Sequence, residues 1–191
     1  ISTEEVLREN AAYEARINEA EEALSRRGFP RTAIFRQPVV WGEHDQYQHV
    51  NNAHYIRWFE SARMRWMERM SRTLSPEIAS NLVRGRGVGI ILASTYCRYR
   101  RPVTYPDTVV IGQAALPMKF ADRVTVRSQA YSVAQSAIVA EADFECVAYD
   151  YDRLCKSSLP PEVADALRAW TYTGEDKEPY CQKTSRRRTV S

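Results

Sequence analysis

The stretch richest in reactive side chains is Trp41-Gly-Glu-His-Asp-Gln-Tyr-Gln-His-Val-Asn-Asn-Ala-His-Tyr-Ile-Arg-Trp-Phe-Glu60. Asp45 stands seven residues before Asn52, and from Ala53 the pattern turns helical. A helix start offers free backbone N–H groups and the positive end of the peptide dipoles. A carboxylate facing those donors across a small gap can attack a carbonyl or activate water while the N–H groups hold the developing oxyanion. The same residues also read as an ordinary turn, with Asn51 or Asn52 as the N-cap; a cap and an oxyanion site can coexist, because one side chain satisfies only one or two of the free donors. All three histidines, His44, His49 and His54, fall in this window. Steps of five residues rotate by about 140° on a helix, so they would not converge on a metal there, and no His-Glu-x-x-His pattern exists. No metal site is expected.

Competing signatures are absent. No serine has glycine two residues to either side, and no phosphate-cradling Walker loop occurs. Gly85, Gly87 and Gly89 run into Ile90-Ile91-Leu92, a strand pattern, which argues against a dinucleotide fingerprint. Cys97, Cys146, Cys155 and Cys181 contain no Cys-x-x-Cys pair, which favours neither zinc nor a disulfide framework and suits a reducing compartment. With 44% hydrophobic and 27% charged residues, 7 Gly and 9 Pro, collagen-like and wholly disordered chains are excluded. Nothing approaches the roughly 18 consecutive apolar residues of a membrane helix.

The elements that must position Asp45 follow from periodicity. Ser2 and Glu5 fit a capping box opening a helix over 3–26, with Tyr13, Ile17, Ala20 and Leu24 as a narrow apolar stripe. Gly28, Pro30 and Pro38 mark a loop, and Val39-Val40-Trp41 begins a short strand. Residues 44–52 read as a polar connection before a helix running to about Ser71, whose wide apolar face holds Tyr55, Phe59, Ala62, Trp66 and Met70. Ser75-Pro76-Glu77 opens a short helix as an N-cap with proline in the first turn. Strands are predicted at 89–101, 107–116, 121–134 and 136–150; the last alternates Ala142, Phe144, Cys146 and Ala148 with Glu141, Asp143 and Glu145, implying one wet face. A final helix runs from Pro160-Pro161-Glu162 through Trp170, and 173–191 reads as a mobile tail. The order predicts an α+β fold, an antiparallel sheet wrapped around one long helix, organised as 1–35 (helical extension), 36–170 (domain) and 171–191 (basic tail).

Asp45-Gln-Tyr-Gln-His-Val-Asn-Asn-Ala-His-Tyr55, continuing through Phe59-Glu60-Ser-Ala-Arg63, closely resembles the signature of hotdog-fold thioesterases of the 4-hydroxybenzoyl-CoA thioesterase type. Gln48-His49-Val50-Asn51-Asn52 is similar to the corresponding stretch of plant acyl-ACP thioesterases. Tyr99-Arg-Arg-Pro102-Val-Thr-Tyr-Pro-Asp107 resembles the family's turn between its second and third strands. The resemblance spans about 36–168. It implies a curled sheet around one helix, a homodimer or dimer of dimers with sites at the interface, and hydrolysis of acyl-CoA or acyl-ACP in fatty acid metabolism, with no cofactor beyond the coenzyme A of the substrate. Carried over residue by residue, Asp45 is the catalytic carboxylate and Asn52 supplies the backbone N–H that polarises the thioester carbonyl. His49 is expected to position groups or water, or to be structural. Gln48 stands where the bacterial pattern has glycine, and Tyr47 replaces an asparagine of the plant enzymes, on the substrate side of the site.

Charge separates two further readings. Lysine plus arginine total 27 against 24 acidic residues, a net +3, but 23 of the cations are arginine. Lys183, Arg186, Arg187 and Arg188 create that surplus, while residues 1–25 carry a net −5 and residues 54–101 a net +7. Arg98, Arg100 and Arg101 are candidates for the phosphates of coenzyme A, which arginine grips bidentately, unless they are solvated or ion-paired. The alternative is a catalytically inactive structural subunit of a larger assembly, holding RNA through the basic tail; a dehydratase acting on acyl thioesters is a third, weaker option. The missing initial methionine and reducing-type cysteines suggest the mitochondrial matrix, otherwise the cytoplasm.

Overall fold

The computed structural model describes residues 1–180. Four helices, α1 (Thr3–Arg26), α2 (Asn52–Ser71), α3 (Pro76–Arg84) and α4 (Pro161–Ala169), accompany six strands. These are β1 (Ile34–Pro38), β2 (Val88–Tyr99), β3 (Thr108–Ala115), β4 (Arg123–Ser132), β5 (Ala137–Asp150) and β6 (Cys155–Lys156). The sheet is antiparallel in the order β1-β3-β4-β5-β2, with β6 on the end of β5. Helix α2 lies on the inner face, where Phe59, Trp66 and Met70 pack among Val109, Ile111, Val126 and Phe144. Helix α1 lies on the outer face, with Ile17, Ala20 and Leu24 over Val110 and Ala114. Covered from both sides, β3 is buried along its whole length.

Local chemistry explains most boundaries. The Ser2–Glu5 capping box forms, with Glu5 N–H donating to Ser2 Oγ (3.2 Å) and Ser2 N–H to Glu5 Oε2 (2.6 Å). Three expectations change. The first strand is Ile34–Pro38, not Val39–Trp41; Pro38 closes an edge strand, where a missing N–H costs no ladder bond, and Trp41–Glu43 is a 3-10 turn. Ser75 occupies the α3 N-cap, but its hydroxyl donates to Glu162 Oε2 (2.9 Å) instead of capping, which ties α3 to α4. The outer face of β5 is dry at two of three positions: Glu141 and Asp143 are buried, while Glu145 stays half-exposed.

That face is dry because residues 172–180 cross it. Tyr180 N–H donates to Asp143 Oδ2 (2.6 Å), Gln129 Nε2 donates to the Tyr180 hydroxyl (2.9 Å), and Arg127 donates to the carbonyls of Asp176 and Glu178. Thr173 N–H reaches Gly28 O (3.0 Å), where the chain passes Gly174 so closely that a side chain at Gly28 (φ +100°) would strike backbone. Residues 173–180, expected to be mobile, thus form a strap over β4 and β5. The Lys183 and Arg186–Arg188 cluster read as an RNA contact lies outside the described residues.

Candidate active site

The loop between β1 and α2 folds back on itself. Asp45 N–H donates to His49 O (2.9 Å) and Gln48 N–H to Asp45 O (3.0 Å), closing a tight turn. Gln48 takes φ +62°, the left-handed conformation at the position where the resembling bacterial pattern has glycine. Asp45 Oδ1 accepts from Tyr47 N–H (2.8 Å), which fixes the carboxylate while leaving Oδ2 without a bonded partner among the described residues. Val50 N–H then joins Val103 O (2.8 Å), delivering the chain into α2.

The helix start resolves the choice of cap. Asn51 is the N-cap, its Oδ1 accepting from Ala53 N–H (3.0 Å) while its carbonyl accepts from His54 N–H (2.9 Å). Asn52 is the first helical residue, and its N–H meets no acceptor among the described residues. Its carbonyl accepts from the Tyr99 hydroxyl (3.2 Å). Tyr99 rests edge-on against Tyr55, and burial pushes both phenols up to about 12, so they stay protonated donors near neutral pH.

Asp45, His49, Asn52, Tyr55, Tyr99 and Arg101 line one hollow of about 420 Å³, together with Val50, Arg100 and Pro102. It joins a fixed carboxylate to a free N–H at a helix N-terminus. Two of the other residues singled out in the sequence lie elsewhere. Tyr47 is 71% exposed and outside the hollow. Arg98 stands opposite Glu141 on β5 and so shares its outer face. Arg100 touches the hollow, but its guanidinium is committed to Glu141 (Nε–Oε2 2.7 Å). Arg101 has no ion-pair partner among the described residues, leaving it the free cation of the rim. The arginines of 54–101 do not gather here: Arg63 is buried over the Phe144 ring, Arg69 holds Thr32 O and Arg72 pairs with Glu68. The histidines diverge as well, His44 Nε2 accepting from Tyr105 N–H (2.8 Å) and His54 Nδ1 lying 3.7 Å from Glu43.

Glu43 holds the Asp45 loop in place, a role the sequence pattern did not reveal. Its Oε1 accepts from the Trp58 indole N–H (2.8 Å), its Oε2 from Val40 N–H (2.8 Å), and its carbonyl from Asn51 N–H (2.9 Å). One half-buried carboxylate therefore clamps the Asp45 loop to the first two turns of α2. Its neighbour Trp58, buried just off the main apolar stripe of α2, was the available signal. Replacing Glu43 with Ala should cut kcat about ten- to a hundredfold, the cost of a loosened reacting geometry. Glu43→Gln, which can still accept from Trp58, should recover part of that loss, as steady-state rates beside thermal melts would show.

A curled antiparallel sheet around one long helix is the hotdog architecture found in thioester hydrolases. The chain belongs to the thioesterase-like superfamily, whose family model matches residues 39–167. A putative esterase of Aquifex aeolicus (strain VF5) is 24% identical over 135 residues, covering 71% of this chain and 97% of that protein. A crystal structure from Pseudomonas aeruginosa strain PAO1 superposes with a TM-score of 0.62 at 22% identity, over 74% of this chain and 93% of that one. That of a 1,4-dihydroxy-2-naphthoyl-CoA thioesterase from Synechocystis gives 0.60 at 15% identity, over 71% and 94%. Helix α1 and the 172–180 strap fall outside the matched residues. Among the described residues no helix is long and apolar enough to cross a membrane.

Proposed function

We propose that the chain hydrolyses an acyl thioester of coenzyme A or acyl carrier protein at the Asp45–Asn52 hollow. The observation that carries this reading is the unaccepted Asn52 N–H at the start of α2, lining the same hollow as Asp45. The thioester carbonyl oxygen accepts from that N–H, where the helix dipole favours growing negative charge. Asp45 either takes a proton from the attacking water or attacks the carbonyl itself, and the C–S bond breaks to release thiol. Water ends as the carboxylic acid oxygen and the thiol proton. Arg101 at the rim suits a phosphate of the carrier. A homodimer completes the reading: β2 is an edge strand with Leu92, Ser94 and Thr95 exposed, an open ladder for a second copy.

Thiol release from short, medium, long and aromatic acyl-CoAs and from acyl-ACP tests this directly. Hydrolysis of at least one class is expected, and none across the panel would contradict the reading. Asn52→Pro isolates the donor. Proline is well tolerated at the first helical position, and Asn51 (φ −59°, ψ 137°) already has the extended backbone a following proline requires. The substitution removes one N–H and should lower kcat by about 10²–10³. Asn52→Ala keeps the N–H and should leave kcat near the parent value.

A further inference from the structure

A second cavity, of about 350 Å³, opens on the outer face of the sheet. That volume is within the range of roughly 300–1,000 Å³ usual for small-molecule sites. Leu116, Met118 and Phe120 from the β3–β4 connection form one apolar wall, and Pro179 of the strap faces them. Phe120 is 61% exposed at the cavity, with the Arg123 guanidinium over its ring at 5.4 Å. Two acids line the cavity, and both are already neutralised: Asp143 is held by Arg127 (3.1 Å) and Glu145 by Arg123 (3.1 Å). Lys119 and Lys177 also line it, and neither has an ion-pair partner among the described residues. The cavity therefore combines an apolar wall with two free ammonium groups and no free carboxylate. Lys177 and Pro179 lie beyond the residues matched by the family model, so this cavity is built partly by what the chain adds to the shared domain.

We propose that this cavity binds a medium-chain aliphatic carboxylate, with its chain along Phe120 and Met118 and its head group between Lys119 and Lys177. The apolar wall contributes through burial of the methylenes, and the ammonium groups select the anion. An inorganic anion alone would leave the apolar wall unused, and a neutral chain would leave both lysines unpaired. The site is separate from Asp45, on the face of the sheet away from α2, so its occupancy does not depend on thioester hydrolysis.

Isothermal titration with decanoate, decanol and inorganic phosphate tests the proposal on the full chain. Decanoate should bind saturably, with decanol and phosphate each weaker by about tenfold or more. The double variant Lys119→Glu/Lys177→Glu and the variant Phe120→Asp should each weaken decanoate by a similar factor while melting like the parent, since all three side chains are exposed. Asp45→Asn should bind decanoate as the parent does, even if that variant loses hydrolysis. Absence of saturable decanoate binding, equal binding of decanol, or unchanged affinity in both surface variants would overturn the proposal.

Discussion

Replacing Asp45 with Asn should lower turnover by about 10²–10⁴ on any thioester the chain hydrolyses, the usual effect of losing an acid–base group. Each tenfold loss is about 1.4 kcal/mol of barrier. The substitution is nearly isosteric, and the amide oxygen of Asn can still accept from Tyr47 N–H, the bond that shapes the turn. Stability should therefore hold while the rate falls, since Asp45 has no ion pair among the described residues to lose. The loss should appear mainly in kcat, because water activation or nucleophilic attack happens only on the way to the transition state. A variant that hydrolysed the whole panel at parental rates would remove Asp45 from the chemistry.

The second large effect concerns the strap. Arg127 is fully buried, paired bidentately with Asp143 (3.1 and 3.2 Å) and stacked on the Tyr180 ring at 3.9 Å. Burial acts to lower its pKa, but the hydrogen bonds and charge of Asp143 outweigh that and leave it raised, so the guanidinium stays charged. Arg127→Met would leave the Asp143 carboxylate buried without its counter-ion and would remove the Arg127 hydrogen bonds to the carbonyls of Asp176 and Glu178. A cost of about 3–5 kcal/mol is expected in urea unfolding. Arg127→Met/Asp143→Leu removes both charges and should be less destabilised than the single variant. A single variant within 1 kcal/mol of the parent would show that the strap does not depend on this pair.

How far the sequence reached differs between fold and site, for physical reasons. Helices α1 and α2 and strands β2 to β5 were legible because their apolar spacing is long and regular. The short β1 was hidden by Pro38, a breaker in general and harmless on an edge. The alternation in β5 correctly separated two faces, but periodicity says nothing about what lies on each. Glu141 and Asp143 are buried by the strap and by Arg100 and Arg127, partners distant in the chain. The same distinction divides the site. Asp45, His49 and Asn52 belong to one short segment, and local turn and helix geometry bring them to one hollow. Tyr99 and Arg101 come from the end of β2, and Glu43 acts through Trp58 a helix turn inside α2. Strand alternation alone already places Arg98 and Arg100 on the face of Glu141, apart from Tyr99.

The most direct measurement is a crystal structure with a non-hydrolysable analogue in which a methylene replaces the thioester sulfur of an acyl-CoA. Its carbonyl oxygen is expected within hydrogen-bond distance of Asn52 N–H, with the Asp45 carboxylate beside the carbonyl carbon and the carrier leaving past Arg101. An analogue bound with its carbonyl away from the start of α2, or seated in another cavity, would contradict that placement.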